Sequence, residues 1–219
     1  HPYVALAYKY AGDHFAGQDE SDSALVYYQK ALMSVVTDFG NPDIFSNPSL
    51  EQSLSDIDLL KILQKKSEVL DKLTRSQKDP EQIIKNKIYS LETINLSLEL
   101  ISRIRNESIS DESRLYLMDN EKETYLSAAR LCRDLFGITG DPSYLENMYS
   151  IARQAKAAIL HNEITGNELL GSIGIPDSSM LRHKKILRDM AAFNHLIHEE
   201  RKNPHPDTGK IDFWKDALF

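Results

Sequence analysis

The chain has 219 residues, 26 of them basic and 33 acidic, which gives a net charge of −7. That balance argues against a protein that follows a nucleic-acid backbone, because such proteins present a net basic face. The single cysteine, Cys132, excludes an internal disulfide framework, and no apolar run approaches the ~18–20 residues of a membrane span. With 9 glycines and 8 prolines, the composition favours helices over a strand-rich fold with many tight turns.

The first 39 residues predict a pair of helices, over 2–17 and 20–38, with a turn between them. Segment 40–49 follows and contains two prolines among Asn, Asp and Ser residues. Proline interrupts helical hydrogen bonding and the other three residue types favour turns, so this segment is expected to be a loop.

Two Asp-Pro pairs, Asp79-Pro80 and Asp141-Pro142, predict the starts of later helices. Each places a capping side chain directly before a proline at the first helical position. Gln82, three residues after Asp79, completes the pattern of a capping box. A loop is expected over the glycine-rich segment 165–174. The further helices are expected at 55–75, 79–105, 110–137, 142–163, 176–202 and from 210 onward.

The connectors between these helices are short, so we expect antiparallel hairpins in an all-α fold. The predicted hairpins cover residues 1–39, 54–106 and 110–163, and C-terminal helices follow over 175–219. We expect one domain over 1–219.

The first hairpin carries small and large residues at fixed spacing. Small residues are expected where two helices cross closely, and large ones where the space between helices is filled. A glycine inside a helix costs about 1 kcal/mol relative to alanine, so a close crossing accounts for Gly12. The pattern resembles the tetratricopeptide (TPR) repeat. The repeat-packing residues are Tyr8, Gly12, Phe15, Ala24, Tyr28 and Ala31.

The TPR resemblance implies a right-handed superhelix of stacked hairpins. The second and third hairpins are longer than the ~34 residues of a regular repeat, so they resemble elongated, degenerate units. A TPR hairpin exposes its first helix on the concave face, and the residues expected there to bind a partner are Leu6, Lys9, Asp13 and Ala16. Lys9 resembles the lysine with which some TPR domains hold a peptide's terminal carboxylate. Asp13 stands where those domains carry asparagine and would repel that carboxylate.

The order of features along the chain also resembles the helical region that precedes the CHAT domain, a caspase-like module of many bacterial proteins. The resemblance implies that a protease-like domain lies downstream, and that the chain is a segment of a longer protein without catalytic residues of its own. The stretches that carry it are residues 24–32, 47–48, 100–105, 152–160, 174–176 and 213–219.

Candidate chemical sites are weak. His195 and His198 are three residues apart and Leu196 follows the first, whereas the zinc-hydrolase motif needs four residues and a glutamate. Cys132 lies on the apolar stripe of its helix, which favours a buried thiol over a nucleophile. The basic run 182–188 is expected to be a solvated helix face. We therefore predict no catalytic residue, no metal and no cofactor, with a small metallohydrolase as the alternative.

The function predicted from these patterns is a non-catalytic protein-interaction scaffold. Its expected partners are a protein or peptide, or the downstream domain of the same chain, with no nucleic acid and no membrane span. Two alternatives stay open: the TPR sensor region of a bacterial histidine kinase, and a self-association module that uses the apolar C-terminal segment. Cytoplasmic and periplasmic locations both remain compatible with the sequence.

Overall fold

The computed structural model contains seven helices and no strand within the described part of the chain, which confirms the all-α prediction. The described residues are 2–50, 57–75, 77–106, 111–172 and 207–216, with isolated positions at 185, 192–193, 196 and 200. The helices are α1 (Pro2–Gly17), α2 (Ser21–Val35), α3 (Ile57–Leu73), α4 (Pro80–Asn106), α5 (Asp111–Thr139), α6 (Ser143–Ser172) and α7 (Thr208–Asp216).

Both predicted Asp-Pro helix starts are confirmed. Oδ1 of Asp79 and Oδ1 of Asp141 each accept a hydrogen bond from the backbone N–H two residues later, at 3.1 and 2.9 Å. Each bond satisfies one of the N–H groups that a helix leaves unpaired at its first turn. The capping box expected from Gln82 does not form: its side-chain oxygen accepts no bond from the backbone N–H of Asp79, and its amide nitrogen donates to Oδ1 of Asn86 at 2.8 Å.

The helix α6 is longer than the sequence predicts. The expected end at Glu163 and the expected loop over 165–174 are wrong, since the helix continues through Ser172. Gly166 and Gly171 each cost about 1 kcal/mol in a helix relative to alanine. The glutamate and leucine residues between them are good helix formers and offset part of that cost. The predicted helix over 176–202 lies mostly outside the described residues.

The chain forms two compact units, His1–Ile159 and Leu160–Phe219. In the first unit, consecutive helices from α1 to α5 pack against one another, and one continuous apolar core runs through them. The helix α6 adds Ile151 and Ala158 to that core. Fully buried core residues include Leu25, Tyr28, Leu32, Leu59, Leu60, Ile62, Leu63, Leu70, Leu100, Ile101 and Ile104.

Contacts between side chains fix the directions of the helices in the first unit. Ser67 of α3 bonds to Ser90 of α4, and Asp71 bonds to Lys87. A residue later in α3 thus pairs with a residue earlier in α4. The helices α3 and α4 are therefore antiparallel.

Lys87 of α4 bonds to Asp134 of α5. Arg105, later in α4, pairs with Glu121, earlier in α5, so these two helices are antiparallel as well. The helices α3 and α5 consequently run in the same direction.

The segment between α2 and α3 is a loop over 40–49, as predicted. Side chains of Asn41 and Asp43 accept hydrogen bonds from the backbone two residues later, which are the turns expected of these residue types. The ring of Phe45 stacks on Tyr89 of α4 with centroids 4.7 Å apart. The loop is thereby held against the helices.

The second unit contains α7. Oδ1 of Asp207 accepts a hydrogen bond from the backbone N–H of Lys210 at 3.2 Å, and this bond caps the helix. Ile211 of this helix is buried.

Candidate functional site

The predicted partner-binding residues of α1 are partly engaged within the hairpin. Nζ of Lys9 lies 2.6 Å from Oδ2 of Asp13, one helical turn away, and Lys9 is only 8% exposed. The hydroxyl of Tyr28 donates to Oδ1 of the same carboxylate at 2.8 Å. Burial, reinforced by this hydrogen bond, raises the pKa of Tyr28 well above its usual range.

This arrangement gives Asp13 a structural partner on each side. Its two oxygens accept bonds from α1 and from α2, so the carboxylate joins the two helices. The charge of Lys9 is already paired, and a peptide carboxylate would compete with Asp13 for it. Leu6 and Ala16 are half-buried on the same helix. That these four residues bind a partner stays a prediction.

The repeat-packing residues lie where α1 and α2 cross. A Cβ atom added to Gly12 would stand 2.7 Å from a ring carbon of Tyr28, so only glycine fits beside this ring. Ala24 and Ala31 are fully buried on α2. Phe15 of α1 stacks on Tyr27 of α2 with centroids 5.2 Å apart, and Tyr8 lies next to the same Tyr27 ring.

A groove of about 540 Å³ lies between the parallel helices α3 and α5, with Ser90 and Ile94 of α4 at its base. Nε2 of Gln64 donates to Oγ1 of Thr124 at 2.7 Å, which joins the two walls near one end. No local pattern in the sequence predicts this groove, since its walls are brought together by the packing of α3 and α5 on α4. Its lining residues are Gln64, Lys65, Ser67, Glu68, Asp71, Lys72, Arg75, Ser90, Ile94, Asn120, Glu123, Thr124, Ser127, Arg130, Leu131, Arg133 and Asp134.

One buried lysine ties the walls of the groove together. Nζ of Lys87, on α4, donates to Asp71 of α3 at 2.9 Å and to Asp134 of α5 at 3.2 Å. Burial lowers the pKa of Lys87, but the bonds and charges of the two carboxylates outweigh it and the net shift is upward. Burial raises the pKa of Asp134, but hydrogen bonds from Arg133 and Lys87 outweigh it, so the net shift is downward. The three helices are thus joined by a charged bridge.

A second buried lysine, Lys66, holds the loop before α3, and sequence reasoning missed it. Its Nζ donates to Oε1 of Gln29 at 2.7 Å, to the carbonyl oxygen of Ser46 at 2.6 Å and to Oδ1 of Asn47 at 3.1 Å. These three acceptors use all three N–H groups of the ammonium. Burial lowers the pKa of Lys66 to about 7, and the more distant charge of Asp43 opposes that shift.

A usable signal for Lys66 was present in the sequence. Leu59, Leu63 and Leu70 lie on the same face of α3 as Lys66, at spacings of four, three and four residues, and all of them are buried. The ammonium group of a lysine in the middle of an apolar stripe either reaches the solvent or forms hydrogen bonds in the protein interior. The neighbouring Lys65 is exposed and pairs with Glu68 at 2.9 Å.

The residues considered for catalysis offer no assembled site in the described part of the chain. Cys132 is fully buried, and burial raises the pKa of its thiol to about 11, which disfavours the reactive thiolate. His195 and His198 lie outside the described residues. Among the residues that are described, no three histidine, cysteine or carboxylate side chains are placed to hold a metal ion.

Across the described residues, every helix is too short or too polar to traverse a bilayer. Comparison with known proteins gave no relative: no protein-family model, no curated protein and no solved structure matches the chain.

Proposed function

We propose that the chain is a non-catalytic scaffold that binds a protein or peptide. The observation that carries this proposal is the open groove between α3 and α5, which has helical walls on both sides and a base formed by α4. Concave surfaces of this kind, formed by successive helical pairs, suit recognition of an extended segment. In this proposal the hairpins stack as a TPR-like right-handed superhelix, and α1, α3 and α5 form its concave side.

The chain in this proposal is the helical arm of a larger CHAT-type bacterial protein. It recruits a partner or substrate for the downstream protease-like domain, or restrains that domain. The support is the order of sequence features that resembles the region before a CHAT domain. The second candidate, a kinase sensor region, has no observation that favours it over the first.

Site-specific photo-crosslinking tests the scaffold. Ser127 lines the groove, whereas Lys122 is exposed on the same helix and does not line it. With benzoylphenylalanine at each position in turn, we expect a discrete protein adduct from Ser127 and none from Lys122 in an extract of the source organism. Equal adducts from both positions, or none from Ser127, would contradict a partner-binding groove.

Two further measurements address the other parts of the proposal. Peptidase turnover by the purified chain itself would contradict a non-catalytic role. The reading frame that follows the chain should encode alternating strands and helices with a histidine and a later cysteine. A kinase-like continuation would instead favour the sensor alternative.

A further inference from the structure

The charges of the α3–α5 groove are unevenly distributed along its length. At the end where Gln64 meets Thr124, the ammonium of Lys65 is paired with Glu68 at 2.9 Å, and the carboxylate of Glu123 lies nearby. The other end holds five cations, which we call the basic end. Its members are Lys72, Arg75, Lys87, Arg130 and Arg133.

The carboxylates near the basic end are already paired with cations. Asp71 and Asp134 share the buried ammonium of Lys87, and Arg133 adds a bond to Asp134 at 2.9 Å. Glu68 also lines the groove and lies 3.9 Å from the ammonium of Lys72, so five cationic groups face three carboxylates in a chain whose net charge is −7. The net charge of the basic end is therefore positive, whereas the net charge of the whole chain is negative. An isolated basic patch on an acidic protein attracts an anionic ligand at short range, within about one Debye length of 8–10 Å.

Two of these cations are available to a ligand. Arg75, just past the end of α3, and Arg130, on α5, are exposed, and their side chains make no ion pair or hydrogen bond with any described residue. The side chain of Arg133 is 68% exposed beyond its contact with Asp134. A guanidinium can bind a carboxylate through two parallel hydrogen bonds, so each of these arginines offers a site for one acidic side chain.

We propose that the basic end binds an acidic segment of a partner protein, with Arg75 and Arg130 as the principal contacts. This inference rests on the proposed scaffold function and names the chemistry of the segment that the groove holds. A peptide fits better than a nucleic acid, because none of the lining residues is aromatic and bases would have no side chain on which to stack. The hydroxyl of Ser127 can bond to a peptide backbone farther along the groove.

Binding of a defined probe tests the proposal. The probe is a fluorescein-labelled peptide of Asp, Glu, Gly and Ser, and the matched control peptide carries Asn and Gln instead of the acids. We expect the full chain to bind the acidic peptide and not the amide peptide. Affinity should fall as salt rises from about 50 to about 300 mM, because the contacts are solvent-exposed.

The variant Arg75→Gln/Arg130→Gln should lower affinity for the acidic peptide about fivefold, since each exposed charge contact is worth up to about 1 kcal/mol. Lys122→Gln/Arg153→Gln is the matched control, because it removes two exposed cations outside the groove. It should change affinity less than about twofold. Equal losses in the two variants, or equal binding of the two peptides, would overturn the proposal. An RNA oligonucleotide that binds through the same two arginines more tightly than the acidic peptide would overturn it as well.

The crosslinking experiment separates this inference from the proposed function. If Ser127 captures a partner through a segment without acidic residues, the scaffold stands and the acidic-segment inference fails. If no partner is captured while the acidic peptide still binds through Arg75 and Arg130, the basic end is an anion site and the scaffold proposal fails.

Discussion

The first two hairpins join their helices by different means. Where α1 crosses α2, the ring of Tyr28 occupies the space that a side chain at Gly12 would need. Where α3 crosses α4, Ser67 and Ser90 each donate a hydroxyl hydrogen bond to the other's carbonyl oxygen, at 2.9 and 2.8 Å. One crossing is filled by an apolar ring and the other by paired hydroxyls, and both are fully buried.

The sequence pattern predicts the α1–α2 crossing but does not predict the α3–α4 crossing. Glycine and alanine at fixed sequence distances from aromatic residues form a pattern that is typical of closely packed helices and is not expected on a solvent-exposed helix. Serine and threonine occur on solvated helix faces, so their presence does not predict burial. The polar residues that α4 buries in this way are Asn86, Lys87, Ser90, Thr93 and Ser97.

The largest expected effect is at Lys66 of α3. Replacing Lys66 with methionine keeps the length of the side chain but leaves the acceptors on Gln29, Ser46 and Asn47 without their donor. We expect the free energy of unfolding to fall by about 2–4 kcal/mol, because buried acceptors without partners are costly. Urea denaturation of Lys66→Met measures this, with exposed Lys65→Met as the control. A loss below that of the control would show that the buried ammonium adds no stability.

The apolar crossing is tested by Gly12→Ala. The added Cβ would meet the Tyr28 ring at 2.7 Å, and overpacking of this kind costs about 1–3 kcal/mol. Gly137→Ala is the control, since that glycine is also helical and a Cβ there has open space around it. Alanine is the better helix former, so the control should gain about 0.5–1 kcal/mol. Thermal unfolding in which both variants gain stability would contradict a close crossing.

The third prediction concerns pH. The pKa of Lys66 is about 7 in the folded chain and 10.5 as its ordinary value, so between these values the unfolded chain binds more protons. The wild-type free energy of unfolding should therefore rise with pH from 7 toward 10 relative to that of Lys66→Met, by up to about 1.4 kcal/mol per pH unit. Denaturant titrations of both chains at several pH values measure the difference. If the difference in the free energy of unfolding between wild type and Lys66→Met does not increase from pH 7 to 10, the pKa of Lys66 in the folded chain lies near its ordinary value.

The smallest effect is expected at the serine pair. Ser67→Ala removes one donor, while the carbonyl oxygen of Ser90 keeps its place in the helix, so the cost should be about 1 kcal/mol. Because the two hydroxyls also contact each other at 3.0 Å, the double change to alanine should cost less than the two single changes added together. Strict additivity in a double-mutant cycle would show that the hydroxyls act independently.

Local chemistry accounts for the parts of the structure that could be predicted. The Asp-Pro starts of α4 and α6 depend only on the capping carboxylate and the residues beside it, and both are found. The apolar stripe of α5 predicted that Cys132 is buried, and it is. The sequence does not predict the end of α6, because Gly166 and Gly171 are typical of a loop, whereas a helix tolerates single glycines at a modest cost.

The groove could not be predicted because it depends on residues far apart in the chain. Asp71 and Asp134 are 63 positions apart, and they come together because both bond to the ammonium of Lys87 on the helix between theirs. Nothing in the local sequence of either aspartate indicates that pairing. The surface expected to bind a partner was instead placed on α1, where Lys9 and Asp13 match a known spacing.

The sequence by itself determined that the chain is helical, where most helices begin, and that α1 and α2 cross closely, because these follow from contacts within a turn or a single hairpin. The tertiary structure decided which polar residues are buried and where cations collect. Lys65 and Lys66 are neighbours of the same type, yet one is exposed and the other has no contact with water. That difference arises from the rotation of α3 against α2 and α4, which is fixed by the whole core rather than by either residue.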